Sequence, residues 1–238
     1  MSDIRKCQAK GGPAFCKNPK CPEKMDSMNF EIPKAFEVHS QRTLPKLPVF
    51  GAWTEKDTEL LKTIHGSKLY GLAHAGSDDD FYVVTPTVKV ARNARKNNAR
   101  QSISGNLDTV YVDFKTFTRL AGEGVPQALE AMYSRQSESE YFEDYRRGYF
   151  SSDPVVIHTY MRTMKSFSLT EKDPYKRKRH ALRLALNLEE ILYTGRFNPT
   201  LNAENANRIS RYASYDTPEY FRELRSVSPI EVDWEPEK

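Results

Sequence analysis

The chain reads as an α+β protein: a small twisted mixed sheet with flanking helices, followed by a helical domain. Two observations lead there. Strand-like runs come early, at Phe81–Val84 and Asp108–Phe114, while helix-start signals crowd the second half, at Asp153-Pro154, Asp173-Pro174 and Thr217-Pro218. A wound α/β chain would alternate the two kinds of element instead.

Taken in order, the first 50 residues hold nine Lys/Arg against five Asp/Glu and six of the 14 prolines. Prolines at that density break regular elements, so residues 1–46 read as a basic, Pro-rich N-terminal arm. The formal net charge of +4 belongs to this stretch, because the remainder is balanced. A helix is expected from Thr54, with Asp57 three residues on and Leu60, Leu61 and Ile64 along one face, ending at Gly66-Ser67. Phe81–Val84 reads as a buried strand stopped by Pro86. Asp108–Phe114 alternates at period two and reads as a second strand.

Between these strands lies an acid-free segment, residues 81–107, with Lys89, Arg92, Arg95, Lys96 and Arg100. It reads either as a solvated polar loop or as a contact for a phosphate backbone. From Val125 onward the pattern is helical. The longest helix is expected from Pro174, capped by Asp173, to about Thr194, with Gly195 at its C-terminal end. The resulting division is 1–46 (arm), 47–118 (core) and 119–238 (helical domain).

Composition excludes several classes. Hydrophobic residues are 38%, mean hydropathy is −0.70, and apolar runs stop at about four residues, against the ~18–20 of a membrane span. The first residues carry charges and no apolar stretch, so a secretory signal is not expected. Cys7, Cys16 and Cys21 are an odd set confined to the arm, which fits a reducing cytoplasm. With His39 they have the number of ligands for zinc, but no tight Cys-x2-Cys knuckle, and the spacing argues against that metal.

The chemistry concentrates in Ile64-His65-Gly66-Ser67, then nine residues, then Ser77-Asp78-Asp79-Asp80 running into Phe81-Tyr82-Val83-Val84. Glycine permits close backbone approach at a turn and exposes N–H donors. On a strand, residues i and i+2 share a face, so Asp78 and Asp80 are expected to point together and Asp79 away. Neighbouring carboxylates repel unless a cation sits between them, and hard oxygens suit Mg²⁺. Asp108, opening the next strand, would supply a third carboxylate. Asp113 is its rival, with opposite strand parity.

These residues resemble the DNA-polymerase-beta-like nucleotidyltransferase superfamily, whose signature is Gly-Ser followed by an Asp-x-Asp strand. The wording His65-Gly-Ser-x-x-Tyr-Gly-Leu-Ala73, then Ser77-Asp-x-Asp80, is similar to the bacterial and phage YcgL-type branch, also called the RNA-repair-pathway polymerase-beta family. The likeness continues through Asp108, Phe114-Lys-Thr-Phe and Gly124-Val-Pro-Gln-Ala-Leu-Glu-Ala-Met. It reappears at Lys178-Arg-His-Ala-Leu-Arg-Leu and Gly195-Arg-Phe-Asn-Pro, and so spans roughly residues 50–202. The resemblance implies a nucleotidyltransferase core in which Asp78, Asp80 and Asp108 are catalytic and hold two Mg²⁺ ions. It implies that Gly66 and Ser67 hold the β- and γ-phosphates of a nucleoside triphosphate. Glu130 falls on a recurring family glutamate and receives no role.

Lys176, His180, Arg183 and Asn187 fall on one stripe of the long helix, framed by Leu184, Leu188 and Ile191 on one side and Leu182 and Leu186 on the other. The stripe is either a narrow solvent face or a cationic wall for the triphosphate; the family likeness at His180 and Arg183 favours the wall. Arg92, Arg95 and Lys96 are the expected acceptor contacts. The expectation is a cytoplasmic, Mg²⁺-dependent nucleotidyltransferase moving a nucleoside monophosphate to an acceptor hydroxyl on RNA. Two alternatives stand beside it: adenylylation of a protein or small molecule, as in toxin–antitoxin and antibiotic-resistance relatives, and a non-catalytic nucleic-acid-binding protein of this fold. Base preference, oligomeric state and pathway are left open by the sequence.

Overall fold

The computed structural model describes residues 59–86, 99–135, 140–151 and 153–234. The arm with its three cysteines, the Thr54 end of the first expected helix, and Lys89, Arg92, Arg95 and Lys96 lie outside the described residues.

Among the described residues four strands make one sheet: β1 (Leu61–His65), β2 (Asp79–Thr85), β3 (Ala99–Ser104) and β4 (Leu107–Asp113), in the order β1-β2-β4-β3. β2 and β4 are parallel, and the two outer pairings are antiparallel, so the sheet is mixed. The residues expected to end the first helix are instead strand: Leu61, Thr63 and His65 alternate inward from β1 and are buried. Gly66-Ser67, expected to stop a helix, begins one, α1 (Gly66–Tyr70). Pairing with β2 supplies β1 with a full ladder of backbone partners, which outweighs the helix-like spacing of Leu60, Leu61 and Ile64.

β4 ends where Asp113 caps α2 (Phe114–Gly122), accepting from the Thr116 backbone N–H at 2.8 Å and from the Thr116 hydroxyl at 3.0 Å. Capping is therefore the task of Asp113, the rival to Asp108. The helices continue with α3 (Pro126–Tyr133), α4 (Glu140–Gly148), α5 (Pro154–Ser168), α6 (Pro174–Thr194), α7 (Ala203–Ala213) and α8 (Thr217–Val227). α3, α5 and α6 open on proline, and Asp153 and Asp173 cap α5 and α6 through backbone N–H groups of the first turn. α6 ends at Gly195, whose φ of +74° closes it. At α8 the N-cap is Asp216, one residue before the expected Thr217.

The inward face of the sheet packs on helices: α1 lies against β1 and β2, α2 against β2 and β4, and α3 against β1. α6 is the spine of the helical part, touching α5, α7 and α8. Leu184, Leu188 and Ile191 are fully buried along it, each contributing about 2 kcal/mol by removal from water. One buried cluster runs from Leu61, Val84 and Val112 of the sheet through Phe117, Met132 and Tyr160 to Phe221 and Trp234. α2 spans residue 118, so the helical half grows directly out of the sheet without a linker.

The turn between α2 and α3 depends on Gly124, at φ +68°, where a Cβ would stand 2.6 Å from the Val156 Cα of α5. Backbone lies opposite, so no side chain can swing aside. Gly124→Ala should destabilise the fold by about 1–3 kcal/mol, seen as a lower urea midpoint with unchanged slope.

Candidate active site

The in-register pairing of β2 and β4 sets Asp80 directly opposite Asp108, and the β1 pairing sets His65 opposite Asp80 on the other side. Residues paired across strands share a face, so His65, Asp80 and Asp108 form one row at the end of the sheet. Here the chain passes from β1 into α1 at Gly66. A Cβ on Gly66 would lie 1.8 Å from Asp80 Oδ2, and its φ is +62°, so both space and backbone require glycine.

Asp79 turns to Lys68 of α1 and forms an ion pair with it. Asp108 is held by Gln101 of β3, whose Nε2 donates to Oδ1 at 3.0 Å and Oδ2 at 2.7 Å. Asp80 bears the electrostatic load. Burial and then the charges of Asp108, Asp78 and Asp79 raise its pKa, while Lys176 of α6 opposes them. Among the described residues no three His, Cys, Asp or Glu side chains are gathered into a group that could hold a metal ion by themselves. What the site holds is an excess of hard carboxylate charge on one strand end, with Lys176 as the opposing cation. That donor set fits Mg²⁺, which takes one or two carboxylates and completes its shell from substrate phosphates and water.

Beside the acids, a cavity of about 390 Å³ opens between the end of α1, the start of α3, and α5 and α6. Lys176, His180 and Arg183 line it with Tyr70, Gln127 and Phe167. The helix stripe thus grades from exposed Lys176 into the interior, where Arg183 and Asn187 are 3% exposed. His180 is edge-on to Tyr70, with ring centroids 6.3 Å apart, and packs on Phe167 at 5.4 Å. Burial, reinforced by Arg183, Lys176, Arg177 and Arg179, drives its pKa down to about 3. His180 is therefore neutral at working pH and does not titrate near neutrality as a free imidazole does.

Arg183, expected to grip phosphate oxygens, has its guanidinium committed elsewhere. It forms an ion pair with Glu130 and stacks over the Tyr70 ring at 3.8 Å from the centroid. Burial alone would lower its pKa, but Glu130 and the tyrosines hold it above the ordinary arginine value. Two cations absent from the sequence reading also line the cavity, Lys172 and Arg177, the latter over the Phe167 ring at 5.1 Å. Their signal was the density of basic residues around the start of α6, where Lys172 lies just ahead of the Asp173 cap and Arg177 adjoins Lys176.

The sequence model of the RNA repair pathway DNA polymerase beta family matches residues 52–224, from ahead of β1 into α8. The chain belongs to this family. The match covers every strand among the described residues and carries the Gly66-Ser67 turn, the Asp78–Asp80 run, Asp108, Glu130 and Arg183. Polymerase-beta-like RNA-repair nucleotidyltransferase is accordingly its class. No curated protein matches the chain. Among the described residues no helix is long and apolar enough to cross a membrane.

Two outcomes follow from this geometry. Because Asp80 is repelled by its neighbours, Asp80→Asn should leave the chelator-treated protein as stable as the unaltered chain or more so. If these acids hold Mg²⁺, the ion should raise the melting temperature of the unaltered chain and fail to raise that of Asp80→Asn, by mass action. The second concerns acid. The unfolded chain takes up a proton at His180 near pH 6.5, whereas the folded chain refuses it to about pH 3. Stability is thus full above pH 6.5 and declines as pH falls through that window. Urea midpoints at pH 7 and pH 4.5 should differ less for His180→Gln than for the unaltered chain.

Proposed function

We propose that this RNA-repair polymerase-beta-family protein transfers a nucleoside monophosphate from a nucleoside triphosphate to a hydroxyl of RNA, with two Mg²⁺ ions held by Asp78, Asp80 and Asp108. The observation that carries the reading is the row in which Asp80 stands opposite Asp108 and against Gly66. Bound Mg²⁺ supplies charge neutralisation for the phosphates and a lowered pKa for the acceptor hydroxyl.

The chain's own groups do the positioning. The Gly66-Ser67 turn, without a Cβ at its first residue, packs against the Asp80 carboxylate and so brings the phosphate-holding backbone beside the acids. Lys176 lines the cavity and its charge reaches Asp80, so it can attract the triphosphate toward the acids. Lys172 and Arg177 extend the cationic wall to the departing pyrophosphate. Neutral His180, beside Phe167, is suited to hydrogen bonding or stacking and not to carrying charge. Gln101 fixes the Asp108 carboxylate so that it meets its ligand pre-oriented. Most of the rate enhancement is then proximity and charge stabilisation. RNA as the acceptor is supported by the repair description of the family and by the basic residues of the 89–100 segment.

Incubation with each α-labelled nucleoside triphosphate, Mg²⁺ and either RNA or protein extract tests this directly. Label should pass to RNA, and Asp80→Asn or Asp108→Asn should reduce transfer by about 10³-fold or more, with Gly66→Ala close behind. Label in a protein band instead would move the acceptor to the adenylylation reading. No transfer to either, with pyrophosphate never released, would leave a nucleic-acid-binding protein of this fold.

A further inference from the structure

Glu130 is completely buried, yet it takes no part in the transfer described above. Its carboxylate accepts from the Tyr70 hydroxyl at 2.6 Å and from Arg183 Nη1, and His65 Nδ1 lies 3.7 Å from it. Burial lowers the His65 pKa, so that imidazole is neutral and its approach is dipolar, not an ion pair. His65 and Tyr70 are the residue before α1 and the last residue of α1, so a single carboxylate touches both ends of the turn that contains Gly66 and Ser67.

We propose that Glu130 is a positioning residue: with Arg183 and Tyr70 it forms a buried clamp that fixes the His65–Tyr70 turn to α6 and so sets where Gly66 and Ser67 meet the triphosphate. The clamp rests on the reading of that turn as the phosphate holder. Three physical points support it. A helix of five residues has no stability of its own, so tertiary contacts must place α1. Tyr70 is held in two directions, by its hydroxyl on Glu130 and by the Arg183 guanidinium over its ring, which leaves its rotamer no freedom. A buried ion pair is close to neutral for stability when compared with apolar replacements, because desolvation offsets the attraction. What it does impose is direction, since charge-assisted hydrogen bonds to a carboxylate fix geometry at short range. His65 carries that geometry onward: it is stacked on Tyr82 with centroids 5.1 Å apart and is the register partner of Asp80.

The test separates positioning from mere support. Glu130→Gln strands the Arg183 charge in the core, and its melting temperature should fall. The paired variant Glu130→Gln with Arg183→Met removes both charges and should recover most of that stability. If the clamp positions the turn, the paired variant stays impaired, with kcat/KM for the nucleoside triphosphate down about 100-fold, as expected of a misplacement near 1 Å. The KM for RNA should not move. Tyr70→Phe, which removes one oxygen, should fold normally and lose about tenfold. In both variants amide hydrogen exchange should quicken at residues 66–70 while the interior of α6 keeps its protection.

Activity returning in step with stability in the paired variant would overturn the clamp, as would unchanged exchange at 66–70. The exchange measurement needs no substrate. An unaltered chain that fails to bind nucleoside triphosphate would therefore sink the proposed function, while exchange at 66–70 would still decide whether Glu130 fixes the turn.

Discussion

Because β2 and β4 pair in register, Asp80 faces Asp108 across the centre of the sheet, and a slip of one residue would turn one of those carboxylates to the opposite face. The register is held by apolar burial further along the same strands, where Val84 and Val112 are paired and almost completely removed from water. The core thus enforces a juxtaposition that electrostatics alone opposes. Everything else in the site is arranged around that opposition: glycine where the Asp80 carboxylate needs room, Gln101 on Asp108, Lys68 on Asp79, and Lys176 facing the acids from α6.

The positive charges fall into two groups with different surroundings. Lys172, Lys176 and Arg177 line the cavity near its mouth, where water screens them and a polyanion can replace it. Arg183 lies deeper on the same helix, paired with Glu130 through Nη1 and stacked on Tyr70, while its buried Nε has no hydrogen-bond partner. Four residues of α6 separate Lys176 from His180, and three more reach Arg183, so one helical stripe passes from solvent to core in two turns. Along it the same kind of side chain changes from a group available to a ligand into a group that organises the fold. His180 marks the transition, since it is buried enough to lose its proton yet still lines the cavity.

Some local features were legible because local chemistry decides them. Asp153 and Asp173 before proline, and Gly195 after Thr194, set helix ends through caps made within a few residues of chain. The β2 and β4 strands announced themselves by β-branched and aromatic residues. β1 did not. Its inward residues are Leu61, Thr63 and His65, two of them polar, so no alternation of hydropathy marked it, and it is a strand because β2 supplies its hydrogen-bond partners. β3 was hidden for a related reason: as an edge strand with five of six residues exposed, it carries no buried pattern to read.

The sequence by itself determined the chemical inventory: the Gly-Ser turn, the aspartate run, the later Asp108 and the basic stripe, together with the α+β class, all of which depend on residue type and short spacing. Only the tertiary structure decided how that inventory is used. Strand register set Asp80 beside Asp108; a cap claimed Asp113; depth along α6 made Arg183 the partner of Glu130. Each of these rests on a partner on another element of the fold or on a competing backbone hydrogen bond. Charge and hydrogen-bonding capacity are written in a side chain, but the group that satisfies them is chosen by packing.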